Sequence, residues 1–272
     1  MNEKFNDYTD VFTAEDVKAA IKDNFETLTE NITPSEQPRI VIFMGGLPGA
    51  GKSSAVENIK EKYNSIIEVD IDEYRKKHPK AKDIFEMGEL PEVKAEELSY
   101  YSITTNKFAR RVSRGLLKKL REAGYNVIID GTLRDPRYAI RMARIFKKKG
   151  YASASVEIIA TDKYTAWIGT QKRLIKETKN RDAEIAAIGE SNIFPRAVGI
   201  EYFNSVVETL PGSISELYKS GEFERITIID RQGGKRYDSS ETPDLDPGEI
   251  LQKLLEEKLS PTIIIEPKRE AK

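Results

Sequence analysis

A lysine and a serine in a glycine-rich loop, and three carboxylates that end apolar runs, are the residues of this chain best placed to do chemistry. Gly46-Leu47-Pro48-Gly49-Ala50-Gly51-Lys52-Ser53 matches G-x-x-x-x-G-K-[ST], the pattern of a phosphate-binding loop, and Ser54 follows it. Glycines let the backbone wrap an anion and aim its N–H groups inward, and the helix expected to follow points its positive end at the same place. Lys52 would reach the β- and γ-phosphates of ATP, and the Ser53 hydroxyl would sit on Mg²⁺.

Asp130 ends the run Asn126-Val127-Ile128-Ile129 and stands where a second carboxylate could hold Mg²⁺, directly or through water. Asp70 and Asp72 close the run Ser65-Ile66-Ile67-Glu68-Val69. Either could take the proton from an acceptor hydroxyl, the general-base task in phosphoryl transfer, and the residues alone do not choose between them. Asp72 also suits the start of a helical turn over 73–77. A transferring phosphoryl group gathers negative charge, and guanidinium pairs with phosphate oxygens through two N–H groups. Arg134, Arg173 and Arg196 are the candidates. Arg110, Arg111, Arg114, Lys118, Lys119 and Arg121 form a basic helical cluster, which suits an anionic groove or a solvated face. His78, the single histidine, precedes Pro79 and reads as a packing residue.

The elements that must position these groups alternate. Ile40-Val41-Ile42-Phe43-Met44 is a continuous, partly β-branched run of the kind that forms a strand buried on both faces. Further strands are expected near 65–70, 126–130, 155–160 and 224–230, the last turning through 231–235 into a hairpin. Helices are expected over 52–63, 92–123 with a break near 99–104, 135–149, 162–179, 195–210 and 246–259. The charged segment 180–194 reads as a lid. This alternation predicts an α/β fold, with a central, mainly parallel sheet between helix layers and its ligand at the C-terminal strand ends. Residues 1–38 are expected to form a helix capped by Thr13 and a linker packing on the main unit, 39–259 the main unit, and 260–272 a flexible tail.

Composition narrows the classes. The 272 residues are 39% hydrophobic, enough for a substantial core. Charged residues make up 33%, yet the net charge is −1, so no basic field points to nucleic acid. The absence of cysteine excludes disulfides, thiolate metal sites and cysteine nucleophiles. The first ten residues are polar and no run approaches a membrane span, so a cytoplasmic location is expected.

Together these residues resemble the zeta toxins of bacterial toxin–antitoxin systems. Four segments carry the resemblance: Gly45 to Ser53; Asp70-Ile71-Asp72-Glu73-Tyr74-Arg75-Lys76-Lys77-His78-Pro79; Gly124 to Arg134, with its acid-Gly-Thr-x-Arg end; and Ser239-Ser240-Glu241-Thr242-Pro243. The resemblance spans about residues 13–259. It implies a P-loop kinase fold, and transfer of phosphate from ATP, with Mg²⁺, to the 3′-hydroxyl of the amino sugar in UDP-N-acetylglucosamine. It gives the base role to Asp72, a metal-side carboxylate to Asp130 (usually Glu in the family), and acceptor contacts to Asp70, Thr132 and Arg134. It makes Arg173 and Arg196 phosphate clamps, the latter in register with Leu210-Pro211. It also implies a small helical antitoxin that blocks the nucleotide site. One position departs. Arg114 falls where the family carries a sugar-contacting Glu, and that exchange favours a more anionic acceptor. The same chemistry on a dinucleotide or a small antibiotic, and a nucleotide-dependent switch with no acceptor, are the alternatives.

Overall fold

The computed structural model describes residues 8, 10–36, 38–63, 65–96 and 99–257. The tail expected at 260–272 lies outside the described residues. The first helix, α1 (Ala14–Thr29), starts as its sequence dictates. The Thr13 hydroxyl accepts from the Asp16 amide while the Asp16 carboxylate accepts from the Thr13 amide. Val17, Ile21, Phe25 and Leu28 then lie in one stripe against the main core.

Strand β1 (Arg39–Gly46) is followed by α2 (Lys52–Lys62), β2 (Ile66–Asp70) and a 3-10 helix, Ile71–Lys77. Next come α3 (Ala81–Glu89), α4 (Pro91–Glu96), α5 (Tyr100–Thr104) and α6 (Asn106–Ala123). The second half contains β3 (Asn126–Asp130), α7 (Pro136–Lys147), β4 (Tyr151–Ala160), α8 (Lys163–Ile188), α9 (Ile200–Lys219), β5 (Arg225–Asp230), β6 (Lys235–Asp238) and α10 (Pro247–Glu256).

Among the described residues the strands form one sheet in the order β2-β3-β1-β4-β5-β6. The first five run parallel and β6 closes the edge antiparallel, as the hairpin turn requires. The fold is therefore α/β, a mostly parallel six-stranded sheet flanked by helices. The central strand explains its own composition. Ile42, Phe43 and Met44 are buried between β3 and β4, where only apolar side chains avoid a desolvation cost. The connection that follows β1 runs to β2 on one side, while the one that follows its neighbour β4 runs to β5 on the other, so a crevice opens beyond their C-terminal ends. Register brings the carboxylates to the same level, since Asp70 lies opposite Asp130 and Asp130 opposite Met44.

The structure redraws several boundaries: 100–104, expected as a break, is the short helix α5, and β4 begins at Tyr151 rather than near 155. The charged stretch expected as a lid is helical as far as Ile188, because α8 continues through residues of good helix propensity to a left-handed Gly189 cap. Only 189–199 lacks regular structure. Helix α9 begins at Ile200 rather than Pro195 and runs through Pro211 to Lys219. Proline costs a hydrogen bond there. Leu210, Pro211 and Ile214 are nonetheless buried, and Gly248 of α10 packs so closely that an added Cβ would stand 2.2 Å from the Pro211 carbonyl oxygen. Tertiary packing holds the helix past its breaker.

Candidate active site

The loop between β1 and α2 is fixed from several sides. Leu47 and Ala50 are fully buried, the Ala50 amide donates to the Leu47 carbonyl at 3.1 Å, and the Thr161 hydroxyl donates to the Ala50 carbonyl at 3.0 Å. Gly49 has φ +78°, and a Cβ there would meet the Ala166 carbonyl oxygen at 2.2 Å, so α8 lies backbone to backbone on the loop. Gly51, at φ +98°, is the N-cap of α2 and offers no side-chain cap, leaving the first-turn amides to an external anion. Lys52, Ser53 and Ser54 occupy that first turn, with Lys52 half-buried and both serines exposed. Arg231, just beyond β5, lies against the loop, its Cγ and Nε 3.3 Å from where a Gly51 Cβ would be.

Three acids line the crevice in different states. One buried oxygen of Asp130, Oδ1, has no hydrogen-bond partner, and burial raises its pKa although Lys52 opposes the rise. Burial, reinforced by Asp72 and Asp130, pushes Asp70 up to about 7. Asp70, and not Asp72 as the sequence suggested, is the N-cap of the 3-10 helix, accepting from the Asp72 amide at 2.8 Å. Asp72 sits in the same crevice, and burial pulls its pKa upward, but Arg75 and Arg196 outweigh burial and hold it below the usual carboxylate value. Arg75 Nε donates to Asp72 Oδ1 at 2.8 Å, and Arg196 Nη1 stands 3.1 Å from Oδ2.

Arg196 is held on its other side by Glu177 of α8. The Arg196 amide donates to Glu177 Oε2 at 2.9 Å and its Nη2 to Oε1 at 3.2 Å. Asp72, Glu177 and Asp70 raise its pKa despite burial. Arg173, one turn before Glu177, has a buried Nε without a hydrogen-bond partner, and burial together with Arg196 lowers its pKa. The segment carrying Arg196 is anchored where Phe194 packs against Phe85 and Tyr101, at ring distances of 5.4 and 5.3 Å, and where the Gly199 amide donates to Ser99 Oγ at 3.1 Å.

Lys52, Asp70, Asp72, Asp130, Arg173 and Arg196 thus converge. Arg134 and Arg114 have other surroundings. Arg134 is exposed, donates to Ser205 Oγ at 3.1 Å and lies over the Tyr202 ring, both on α9. Arg114 is exposed on α6, and its charge acts with Arg141 and Arg110 on the Tyr138 hydroxyl. Thr132 is half-buried beside Leu133, the one described non-glycine residue at positive φ. Leu133 turns its side chain toward Gly45, where an added Cβ would stand 2.7 Å away. His78 is buried edge-on between Phe12 and Phe108 and accepts from the Lys80 amide, a packing role. Sequence reasoning missed Arg75, Glu177 and Arg231. Arg75 lies three residues after Asp72, Glu177 four after Arg173, and Arg231 one after a strand-ending acid, so their spacing carried a signal.

Residues 23–242 match the family model for zeta toxin. The chain belongs to the zeta toxin family. It is 30% identical to the toxin zeta of Streptococcus pyogenes over 92% of this chain and 80% of that protein, and 30% identical to toxin PezT of Streptococcus pneumoniae over 93% and 90%. Its structure resembles one solved for the PezAT chromosomal toxin–antitoxin system of Streptococcus pneumoniae, with a TM-score of 0.70 and 27% identity, covering 92% of this chain and 89% of that one. In this zeta toxin family member no helix among the described residues is long and apolar enough to cross a membrane.

The crevice fits a divalent cation. The buried, unpartnered Asp130 oxygen is an unmet acceptor beside Lys52, and a carboxylate raised by burial gains from a cation. No group of three or more His, Asp or Glu side chains among the described residues could hold a metal. Mg²⁺ takes one or two protein oxygens and completes its shell with phosphate and water.

Proposed function

We propose that this protein is a kinase that transfers the γ-phosphoryl group of ATP to a hydroxyl of a nucleotide-activated sugar, with the 3′-hydroxyl of UDP-N-acetylglucosamine as the first acceptor to test. The observation that carries the reading is the placement of Asp72, ionised and held by arginines, beside a complete phosphate-binding loop. Asp72 Oδ2 accepts the proton of the acceptor hydroxyl as its oxygen bonds to the γ-phosphorus and the bond to the ADP oxygen breaks. Lys52 and the free amides of α2 hold the phosphates. Arg173 and Arg196 take up charge on the transferring group, and for this Arg196 releases Oδ2. Ser53 and Asp130 would hold Mg²⁺, which when bound neutralises charge between the β- and γ-phosphates. Asp70, Thr132, Arg134 and Arg114 are assigned to the acceptor side. The exposed arginines around Tyr138 favour an acceptor carrying phosphate, a nucleotide sugar or a dinucleotide, over a neutral antibiotic. Family membership supports an antitoxin that covers the nucleotide site.

The test is ATP-dependent gain of one phosphate by mass spectrometry across nucleotide sugars and dinucleotides. Lys52→Ala and Asp72→Ala should each lower transfer at least 1,000-fold, on the order expected for losing a phosphate cradle or a base, while circular dichroism stays unchanged. Full activity in Asp72→Ala removes the base assignment. Acceptor-independent ATP hydrolysis alone, with every acceptor unmodified, replaces the kinase with a nucleotide switch.

A further inference from the structure

Asp72 is not held by the phosphate side of the site alone. Arg75 comes from the same 3-10 helix, three residues on, where side chains at i and i+3 eclipse. It is buried, 8% exposed, and its fork reaches three groups on two elements. Nε donates to Asp72 Oδ1 at 2.8 Å, and Nη1 donates to the Ser102 carbonyl of α5 and to Thr105 Oγ1 at 3.3 Å. Thr105 is fully buried and is fixed in turn, its hydroxyl donating to the Tyr101 carbonyl at 2.7 Å. A guanidinium can make these bonds together because its donors are coplanar and diverge, whereas an ammonium is a single point of charge.

We propose that Arg75 is a positioning residue for the proton acceptor. It pins Oδ1 of Asp72 to the α5–α6 junction, so that Oδ2 alone faces the acceptor hydroxyl. This rests on the reading of Asp72 as the base. It makes the small helical insert between β2 and α6 part of the catalytic apparatus. The insert has its own apolar cluster of Ala81, Ile84, Phe85, Val93, Tyr100 and Tyr101, and it reaches Asp72 directly through Arg75 and indirectly through the Phe194 segment that carries Arg196. The groups that set the charge of Asp72 come from every side: Asp70 from β2, Asp130 from β3, Arg173 from α8, Arg196 from the segment before α9, and Arg75 from its own helix. Without Arg75, burial and the two neighbouring acids act against Arg173 and Arg196 only.

The experiment compares the full chain with Arg75→Ala, Arg75→Lys and Thr105→Val. One readout is steady-state transfer to UDP-N-acetylglucosamine. The other needs no substrate, a ¹³C titration of the Asp72 carboxyl carbon assigned with Asp72→Asn. In Arg75→Ala, kcat should fall about 100-fold with the KM for ATP within about twofold. The Asp72 midpoint and the acid limb of the kcat–pH profile should both move up by about one unit or more. Arg75→Lys should recover less than a tenth of the lost kcat. Thr105→Val, which removes one far-side tether, should lower kcat about threefold to tenfold. A folded Arg75→Ala with wild-type kcat and an unmoved midpoint overturns the proposal, as does full rescue by lysine, since charge and not position would then be the requirement. Should Arg75→Ala not fold, the lysine and valine variants decide alone, and normal kcat in either overturns it. Retained transfer in Asp72→Asn overturns the base reading itself. An inactive Asp72→Asn beside a normal Arg75→Ala overturns only the role of Arg75.

Discussion

Asp70 and Asp72 are two residues apart, the same chemical group, and opposite in behaviour. Burial acts on both, but arginines reach only Asp72 within hydrogen-bonding distance, so its carboxylate stays ionised while Asp70 is pushed up to about 7. The sign of the resulting pH dependence follows. A carboxyl with a raised folded pKa holds its proton more tightly when folded, so its contribution is fully present below the ordinary value of 3.8 and is lost as pH rises through about 7. Asp70→Asn keeps an oxygen to accept from the Asp72 amide and removes the charge. It should therefore stabilise the protein by about 1–3 kcal/mol at pH 8 and by much less at pH 4, read as Tm with a chelator present and nucleotide absent. An equal effect at both pH values contradicts the burial argument. Spacing allowed either acid as the proposed base, the family resemblance favoured Asp72, and the surrounding cations supply a physical reason for that choice.

At the scale of elements, segment 189–199 acts as a strap that carries Arg196 to Asp72. It has no regular structure, yet Glu177, Ser99 and the aromatic pair Phe85 and Tyr101 fix it in place. Phe194→Ala removes the apolar anchor. Exchange of the Arg196 and Gly199 amides should then quicken at least tenfold while the amides of β1 and β3 stay protected; unchanged exchange at both locates the anchor elsewhere. The strands, the phosphate loop, the Thr13 cap and the hairpin were legible in sequence, because each depends on local chemistry. The passage of α9 through Pro211 was not, because its packing against α10 overrides the local breaker; the length of α8 was missed although its local helix propensity carried the signal.

At the scale of the molecule, α1 is part of the same core as the sheet. Gly115 of α6 admits Ile21 so closely that an added Cβ would stand 2.2 Å from its Cδ1, and Phe25 meets Tyr125 edge-on. Gly115→Leu should push α1 away and cost about 2–3 kcal/mol, the usual range for overpacking, lowering Tm by roughly 4–10 °C in a chain of this size. Nucleotide affinity should hold, since the phosphate loop is anchored by Thr161 and α8 rather than by α1. An unchanged Tm would mean the seam carries no stability.

The order of residues by itself determined the donor half of the site. A buried β-branched run, glycines that tolerate a wrapped backbone, and Lys52-Ser53 at a helix start are local facts, and they specify a phosphate cradle wherever they fold. Only the tertiary structure decided the charge states in the proposed acceptor half. Which acid stays charged depends on Arg75, Arg173 and Arg196, residues up to 124 positions from Asp72 in the chain (196 − 72) that meet it across a buried crevice. There, guanidinium groups within hydrogen-bonding distance of the half-buried Asp72 outweigh the cost of burial.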